Sequence, residues 1–222
     1  MARKFVYAFG EGKAEGSASM RELLGGKGSN LAEMASLGLP VPPGFTISTE
    51  ACVKYLKDGQ YPEGLWEEIV ENVKRLEALM GATFGGEDAP LLFSVRSGAR
   101  VSMPGMMDTV LNLGLNDKTV LGLARRTGNS RFAWDSYRRF VTMFGNVVMG
   151  LEHERFEKAL EAAKQRRGAK ADTDLTSHDL EALTQELKAL VRQEKGEFPQ
   201  EPYQQLRMAI DAVFRSWNTP RA

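Results

Sequence analysis

The sequence contains a single cysteine, no excess of charge of either sign and no long apolar run. Cys52 is the only cysteine in 222 residues, so an internal disulfide or a cysteine-based zinc cluster is excluded and a reducing compartment is expected. Lys plus Arg and Asp plus Glu both number 29, so no global field favours nucleic acid or an acidic membrane. No segment has the apolar length of a membrane span or a signal peptide. We therefore expect a cytoplasmic protein that binds neither nucleic acid nor membrane.

Metal-binding side chains are equally scarce. The two histidines, His153 and His178, lie far apart, without cysteines or paired acids at ligand spacing. Thr176, Ser177 and His178 form a triplet that also occurs in the phosphohistidine motif of some phosphotransferases. Because Asp179 follows directly, the triplet is instead typical of a helix N-cap. We predict no metal ligand and no catalytic histidine in this chain.

Hydrophobic periodicity divides the chain into a mixed part and a helical part. Strands are predicted at 4–9, 45–48, 91–95 and 109–113. Helices are predicted at 28–37, after Thr49 as the N-cap, and at 63–80. Beyond residue 115 only helices are predicted, at 117–126, 130–149, 152–167, 177–195 and 200–217. The prediction is an α+β fold with a mixed lobe over 1–115, a helical subdomain over 116–200 and a further helix within 201–222.

A first glycine-bearing stretch, residues 24–30, contains Lys27 as its cation. It is not a Walker loop, since Gly28 replaces the hydroxyl residue that would hold magnesium, and Leu31 excludes the dinucleotide fingerprint. Such a turn brings backbone N–H groups and Lys27 close to a polyanion at a helix N-terminus. The helix dipole disfavours an exposed lysine there by about 0.3–1 kcal/mol, which bound phosphate would offset. An ordinary turn with a solvated lysine gives the same pattern.

A second stretch follows the strand predicted at 91–95. Arg96 ends that strand, and a guanidinium there can bind two phosphate oxygens in a fork. The methionines within 103–107 could cover a nucleotide, although a hydrophobic loop packed under a neighbouring lobe explains them equally well. Together the two stretches predict a nucleoside triphosphate site. The predicted binding residues are Gly26, Lys27, Gly28, Arg96, Ser97, Gly98, Arg100, Met103, Gly105 and Thr109.

Several longer motifs resemble the N-terminal, nucleotide-binding part of the pyruvate, phosphate dikinase family. The matching segments cover essentially the whole chain: 23–28, 30–34, 41–46, 94–117, 132–140 and 214–217. The resemblance implies an ATP-grasp-like fold that holds ATP between two lobes. It also implies that Lys27 and Arg96 are catalytic residues that contact the ATP phosphates, and that the loop 97–109 closes over the nucleotide.

The resemblance further implies a phosphotransferase (kinase) reaction. In that family, ATP, phosphate and pyruvate become AMP, pyrophosphate and phosphoenolpyruvate through a phosphohistidine on a separate swivelling domain. ATP and Mg²⁺ are the implied cofactors, and most magnesium ligands are expected on a second lobe after residue 222. The remaining domains of a full-length dikinase are the expected partners, with a homo-oligomer as a further option. We therefore expect the chain alone to bind ATP weakly and not to complete the dikinase reaction.

Two other functions fit the same residues. A phosphoenolpyruvate synthase or another ATP-grasp phosphotransferase would share the Gly-Gly-Lys-Gly and Val-Arg-Ser elements, although the synthases look different across 99–109. A short stand-alone module could instead bind a nucleotide or a partner chain without turnover. Such a module could self-associate through Met103, Met106 and Met107.

Overall fold

The computed structural model describes residues 3–97 and 109–217, and it shows the α+β fold that the sequence predicts. The strands in this part are β1 (Val6–Gly10), β2 (Lys13–Ala14), β3 (Gly44–Ile47), β4 (Thr83–Phe84), β5 (Pro90–Leu91), β6 (Phe93–Val95) and β7 (Val110–Leu113). The helices are α1 (Arg21–Ser36), α2 (Thr49–Asp58), α3 (Leu65–Met80), α4 (Thr119–Thr127), α5 (Ser130–Met143), α6 (His153–Arg167), α7 (Ser177–Lys195) and α8 (Pro202–Ser216). A π-helical segment, Phe144–Val148, follows α5. None of these helices combines the length and apolar character needed to cross a bilayer.

The described residues form two compact units. The first unit comprises residues 3–81, 96–97 and 213–217, and the second comprises 82–95 and 109–212. The division at residues 115 and 200, which the sequence suggests, stays a prediction.

The first unit is built on a three-stranded antiparallel sheet in the order β2-β1-β3. Val6 of β1 lies opposite Ile47 of β3, and both α1 and α3 pack against these two strands. Glu68 of α3 accepts hydrogen bonds from the backbone N–H groups of Phe5 (2.9 Å) and Val6 (2.8 Å). The Glu68 carboxylate therefore holds the start of β1 against α3. Helix α1 packs against the same sheet.

The second unit combines two small sheets with helices. Strands β4 and β5 pair in parallel, whereas β6 and β7 pair antiparallel. The rings of Tyr137, Phe140 and Phe144 are fully buried, and each packs against Phe198 at centroid distances between 5.5 and 6.5 Å. Burying aromatic rings of this size supplies a large part of the free energy that holds such a helical core together.

The pairing of β6 with β7 contains a β-bulge. Phe93 lies opposite Leu113 and Val95 lies opposite Val110, so two residues of β7 face one residue of β6. Asn112, within the extra stretch, has a φ of 64°, in the left-handed region that few residues other than glycine and asparagine adopt. The bulge therefore bends strand β7 close to its start.

The helices predicted from periodicity are confirmed, with three corrections at their ends. The helix predicted to start near Gly28 begins at Arg21, because a short helical turn precedes the glycines. Thr49 does not cap α2; the N-cap is Ser48, whose hydroxyl accepts a hydrogen bond from the N–H of Ala51. The helix predicted over 130–149 continues past α5 as the π-helical segment.

The strands show two departures from the sequence prediction. The single strand expected over 91–95 is divided, because Leu91 ends β5 and Phe93 begins β6 in a different sheet. The two-residue strands β2 and β4 were not predicted, since segments this short carry no measurable periodicity.

The triplet at 176–178 is a helix cap, as the sequence predicts. The hydroxyl of Thr176 accepts a hydrogen bond from the N–H of Asp179, and the Asp179 carboxylate accepts one from the N–H of Thr176 (2.9 Å). This reciprocal pair is a capping box at the start of α7.

Candidate nucleotide-phosphate site

Helix α1 is interrupted at Gly25. This residue has φ 69° and ψ 173°, so a single turn over 21–24 is followed by a longer helical run over 26–36. A backbone conformation with φ in this range is readily available to glycine, because glycine has no β-carbon. The residues after Gly25 therefore form a new helix start, and the first N–H groups of a helix lack acceptors within their own run.

Two neighbours hold this helix start in place. The hydroxyl of Ser29, buried at 1% exposure, donates to the carbonyl oxygens of Gly25 (2.8 Å) and Gly26 (3.2 Å). Gly28 is also buried, and a β-carbon there would lie 2.6 Å from Cγ2 of Thr46 in β3. Only a glycine lets the helix start approach the sheet this closely.

Lys27 directly precedes the buried Gly28 and Ser29 but is itself exposed. Within residues 3–97 and 109–217, no carboxylate pairs with its ammonium group. The first predicted stretch thus presents one unpaired cation at a helix N-terminus, where the partial positive charge of the helix already favours an anion.

The second stretch places Arg96 and Ser97 directly after β6. Arg96 is exposed, and among the described residues no carboxylate pairs with its guanidinium. Ser97 is only 4% exposed, yet its Oγ has no hydrogen-bond partner in the described part of the chain. Most buried hydroxyl groups are hydrogen-bonded, so an unpartnered one next to a free arginine is consistent with a ligand site. Arg96, Ser97 and Lys27 all belong to the first unit.

Of the predicted binding residues that remain, the structure describes Thr109. Thr109 belongs to the second unit, where it is half-buried directly before β7. Gly98, Arg100, Met103 and Gly105 lie outside the described residues. The convergence of Lys27 and Arg96 on one ligand stays a prediction.

The groups that the structure describes suit an oxygen-rich anion. A helix start, an ammonium, a guanidinium and a hydroxyl are the donors that bind phosphate groups in proteins. The residues that the structure describes contain no group of three or more His, Cys, Asp or Glu side chains arranged to hold a metal ion. The helix start, the two cations and the hydroxyl can bind an anion and neutralise its charge.

Sequence reasoning missed two residues that shape this site. Ser29 follows Gly25 by four positions, and a serine at this spacing often bonds back to the carbonyl of the preceding turn. That pattern could have indicated its role. Thr46 carries no local signal, because its contact with Gly28 depends on how α1 packs on the sheet.

Comparison with known proteins agrees with this chemistry. The family model described as pyruvate phosphate dikinase, AMP/ATP-binding domain, matches residues 21–76 and 60–222. The chain is 58% identical over 224 residues to pyruvate, phosphate dikinase 1, chloroplastic, of Arabidopsis thaliana, a match that covers 100% of this chain and 23% of that protein. It is 59% identical over 222 residues to the corresponding Oryza sativa protein (99% and 23%) and 58% identical over 219 residues to pyruvate, phosphate dikinase 2 of Zea mays (98% and 25%).

The chain thus spans about a quarter of the length of these curated relatives. The family model, by contrast, covers all of it except the first twenty residues. Because this model matches well over half of the chain, the chain belongs to the pyruvate phosphate dikinase AMP/ATP-binding domain family.

Proposed function

We propose that this chain is one nucleotide-binding lobe of a pyruvate, phosphate dikinase with an ATP-grasp arrangement. The full protein would convert ATP, phosphate and pyruvate into AMP, pyrophosphate and phosphoenolpyruvate. The observation that carries the proposal is the helix start after Gly25, which presents Lys27 in the same unit as Arg96, two cations that pair with no carboxylate among the described residues. The match to the AMP/ATP-binding domain supports ATP as the ligand.

In this proposal the phosphates of ATP are bound by groups with complementary charge. The N–H groups at the helix start and the Lys27 ammonium bind one phosphate, while the Arg96 guanidinium binds two oxygens in a fork. The Ser97 hydroxyl, which has no partner among the described residues, donates a further hydrogen bond to a phosphate oxygen. Lys27 and Arg96 neutralise the charge that shifts between phosphate oxygens during phosphoryl transfer, a role that needs positioning and no covalent step.

Magnesium and the other domains complete the proposal. When bound, Mg²⁺ would neutralise phosphate oxygens, and we expect its ligands to come mainly from the second lobe of the full protein. The phosphohistidine and the pyruvate site would belong to further domains of the full protein. A cytoplasmic location stays a prediction, and the names of the Arabidopsis and rice relatives describe those proteins as chloroplastic.

Titration of the chain with Mg-ATP, monitored by calorimetry or ligand-observed NMR, tests the proposal. For one lobe of a two-lobed site we expect weak binding, with a Kd on the order of 1 mM. We expect Arg96→Ala and Lys27→Ala each to weaken binding about tenfold or more, because each removes a charged hydrogen bond to phosphate. Lys57→Ala, which removes an exposed lysine near the end of α2, is the matched control and should bind like the wild type.

Circular dichroism must show that all three variants keep the wild-type fold. The proposed phosphate site would be wrong if folded Arg96→Ala and Lys27→Ala bound Mg-ATP as the wild type does. A wild-type Kd in the micromolar range would contradict the one-lobe assignment, since it would show that the chain holds ATP without a second lobe. Formation of phosphoenolpyruvate by the chain alone in a coupled assay would contradict it as well.

A further inference from the structure

Met143, at the end of α5, accepts a hydrogen bond from the backbone of β7. The N–H of Leu111 lies 3.2 Å from the Met143 sulfur atom, Sδ. Backbone N–H groups in a sheet normally donate to carbonyl oxygens, and a thioether sulfur is a much weaker acceptor. This contact therefore marks a place where the sheet itself does not supply an acceptor.

The β-bulge explains why a methionine takes this place. Leu111 and Asn112 form the extra stretch of β7 between the paired residues Val110 and Leu113. The bulge interrupts the ladder at this point, and the left-handed φ of Asn112 turns the chain locally. Helix α5 packs against β7 and brings Met143 to the N–H of Leu111.

The contact is also open to small molecules in solution. Val110 and Leu113 are fully buried at 0% exposure, whereas Leu111 is 39% exposed. Met143 is half-buried, so the residue is partly accessible to solvent. We therefore expect a reagent as small as hydrogen peroxide to reach the sulfur in the folded chain.

We propose that Met143 is an oxidation-sensitive latch on the bulge of β7, and that a hydroperoxide is the reagent that opens it. The sulfur attacks the terminal oxygen of the hydroperoxide, an S–O bond forms, and the O–O bond breaks with its electron pair on the leaving oxygen. The proton of the transferred oxygen passes to that leaving oxygen. Sulfur loses two electrons and becomes a sulfoxide, while the hydroperoxide is reduced to an alcohol, or to water if it is hydrogen peroxide.

Oxidation changes the geometry of the contact. A nitrogen-to-sulfur distance of 3.2 Å leaves no room for an oxygen atom between the N–H of Leu111 and the sulfur. The polar sulfoxide must therefore turn away or push the strand, and in both cases the present hydrogen bond is lost. The N–H of Leu111 then loses the acceptor that Met143 supplies.

A second consequence rests on the proposed function. Val95, the last residue of β6, pairs with Val110 of β7, and Arg96 follows Val95 directly in the chain. Loosening β7 would thus disturb the strand that ends in the proposed phosphate ligand. The latch itself does not depend on this link.

The test measures amide hydrogen exchange at Leu111 by NMR in the isotope-labelled chain, before and after treatment with hydrogen peroxide. Peptide mass spectrometry establishes the oxidation state of each methionine. We expect native Met143 to be oxidised and the Leu111 amide then to exchange about 2- to 3-fold faster, the lower end of the range for loss of one hydrogen bond, because the thioether is a weak acceptor. Met143→Leu keeps the packing but removes the acceptor, so its Leu111 exchange should be fast from the start and unchanged by peroxide.

Met80→Leu is the matched control, because Met80 is an exposed methionine at the end of α3. This variant should respond to peroxide at Leu111 as the wild type does. The latch would be overturned if Leu111 exchange stayed the same with Met143 oxidised, or if Met143 resisted peroxide until the chain unfolded. Faster Leu111 exchange with unchanged Mg-ATP affinity would support the latch and overturn its link to Arg96.

Discussion

A β-carbon at Gly28 would lie 2.6 Å from Cγ2 and 2.9 Å from Oγ1 of Thr46. Threonine is branched at its β-carbon and has few alternative rotamers, so Thr46 cannot easily move aside. We expect Gly28→Ala to lower the free energy of unfolding by about 1–3 kcal/mol, the usual cost of overpacking. The sign is informative, because alanine in an unhindered helix position would instead stabilise it by about 1 kcal/mol. Urea unfolding measures the difference.

Asn30→Ala is the control for this substitution. Asn30 is exposed on the same helical run, two residues further on, so its replacement should change the free energy of unfolding by no more than about 0.5 kcal/mol. If Gly28→Ala unfolded at the same urea concentration as the wild type or at a higher one, the close approach of α1 to β3 would be wrong.

Lys27 should be unfavourable for the stability of the ligand-free chain. It lies in the first turn after the break at Gly25, where the helix dipole disfavours a positive charge. We expect Lys27→Ala to raise the free energy of unfolding by about 0.3–1 kcal/mol in low salt, because it removes this repulsion. Thermal denaturation without nucleotide is the measurement.

Lys57 offers the opposite case, since it lies in the last turn of α2, where a positive charge is favourable. Lys57→Ala should therefore lower the melting temperature slightly while Lys27→Ala raises it. Equal shifts in the same direction would show that the dipole of the helix start does not act on Lys27.

The contribution of the α7 cap to the stability of the chain should depend on pH. The hydrogen bond from the Thr176 hydroxyl, followed by that from the Thr176 N–H, lowers the pKa of Asp179 below its ordinary value of 3.8. Since the folded-state pKa is the lower one, this contribution to stability is present above pH 3.8 and is lost as the pH falls through the folded-state pKa. We expect Thr176→Ala to cost about 1 kcal/mol at neutral pH and clearly less in acid.

Urea unfolding of Thr176→Ala and of the wild type, at neutral pH and in acid, measures this effect. Ser177→Ala serves as the control, because Ser177 is the neighbouring hydroxyl residue and the cap contacts run through Thr176. A cost for Thr176→Ala that stayed constant down to acidic pH would contradict the reciprocal bond with Asp179.

Cys52 should be unreactive in the native chain. Its side chain is 2% exposed, its thiol donates to the carbonyl oxygen of Phe214 (3.9 Å), and burial raises the pKa of Cys52 to about 12. Because the thiolate is the reactive form, we expect iodoacetamide to modify native Cys52 at least about 100-fold more slowly than the urea-unfolded chain. Mass spectrometry of timed samples measures both rates. Rapid modification of the folded chain would show that this contact opens readily.

The sequence predicts most helices because their apolar residues repeat over several turns. In α3 the buried residues Leu65, Ile69, Val73 and Leu76 follow this repeat, so the helix could be placed to within two residues of its start. The break at Gly25 could not be located in the same way. Three nearby glycines all tolerate a left-handed φ, and the contact of Gly28 with Thr46, which sequence alone does not show, fixes the arrangement.

The candidate site shows the same limit. Lys27 and Arg96 could be predicted because a cation next to glycines or at a strand end has recognisable chemistry. Ser29 and Thr46 act by supporting the backbone and by filling space, which leaves no such signal. The contact between Leu111 and Met143 joins residues 32 positions apart. It arises from a β-bulge that no local sequence pattern predicts.

The left-handed conformation of Asn112 limits which amino acids this position of β7 can accept. In a saturation library selected for folded chains, we expect glycine and aspartate to persist at position 112, because both adopt a positive φ at low cost. Valine, isoleucine and threonine, the residues that strands usually favour, should be depleted there. Within a strand, tolerance of glycine and aspartate together with loss of β-branched residues would therefore indicate the bulge without a structure.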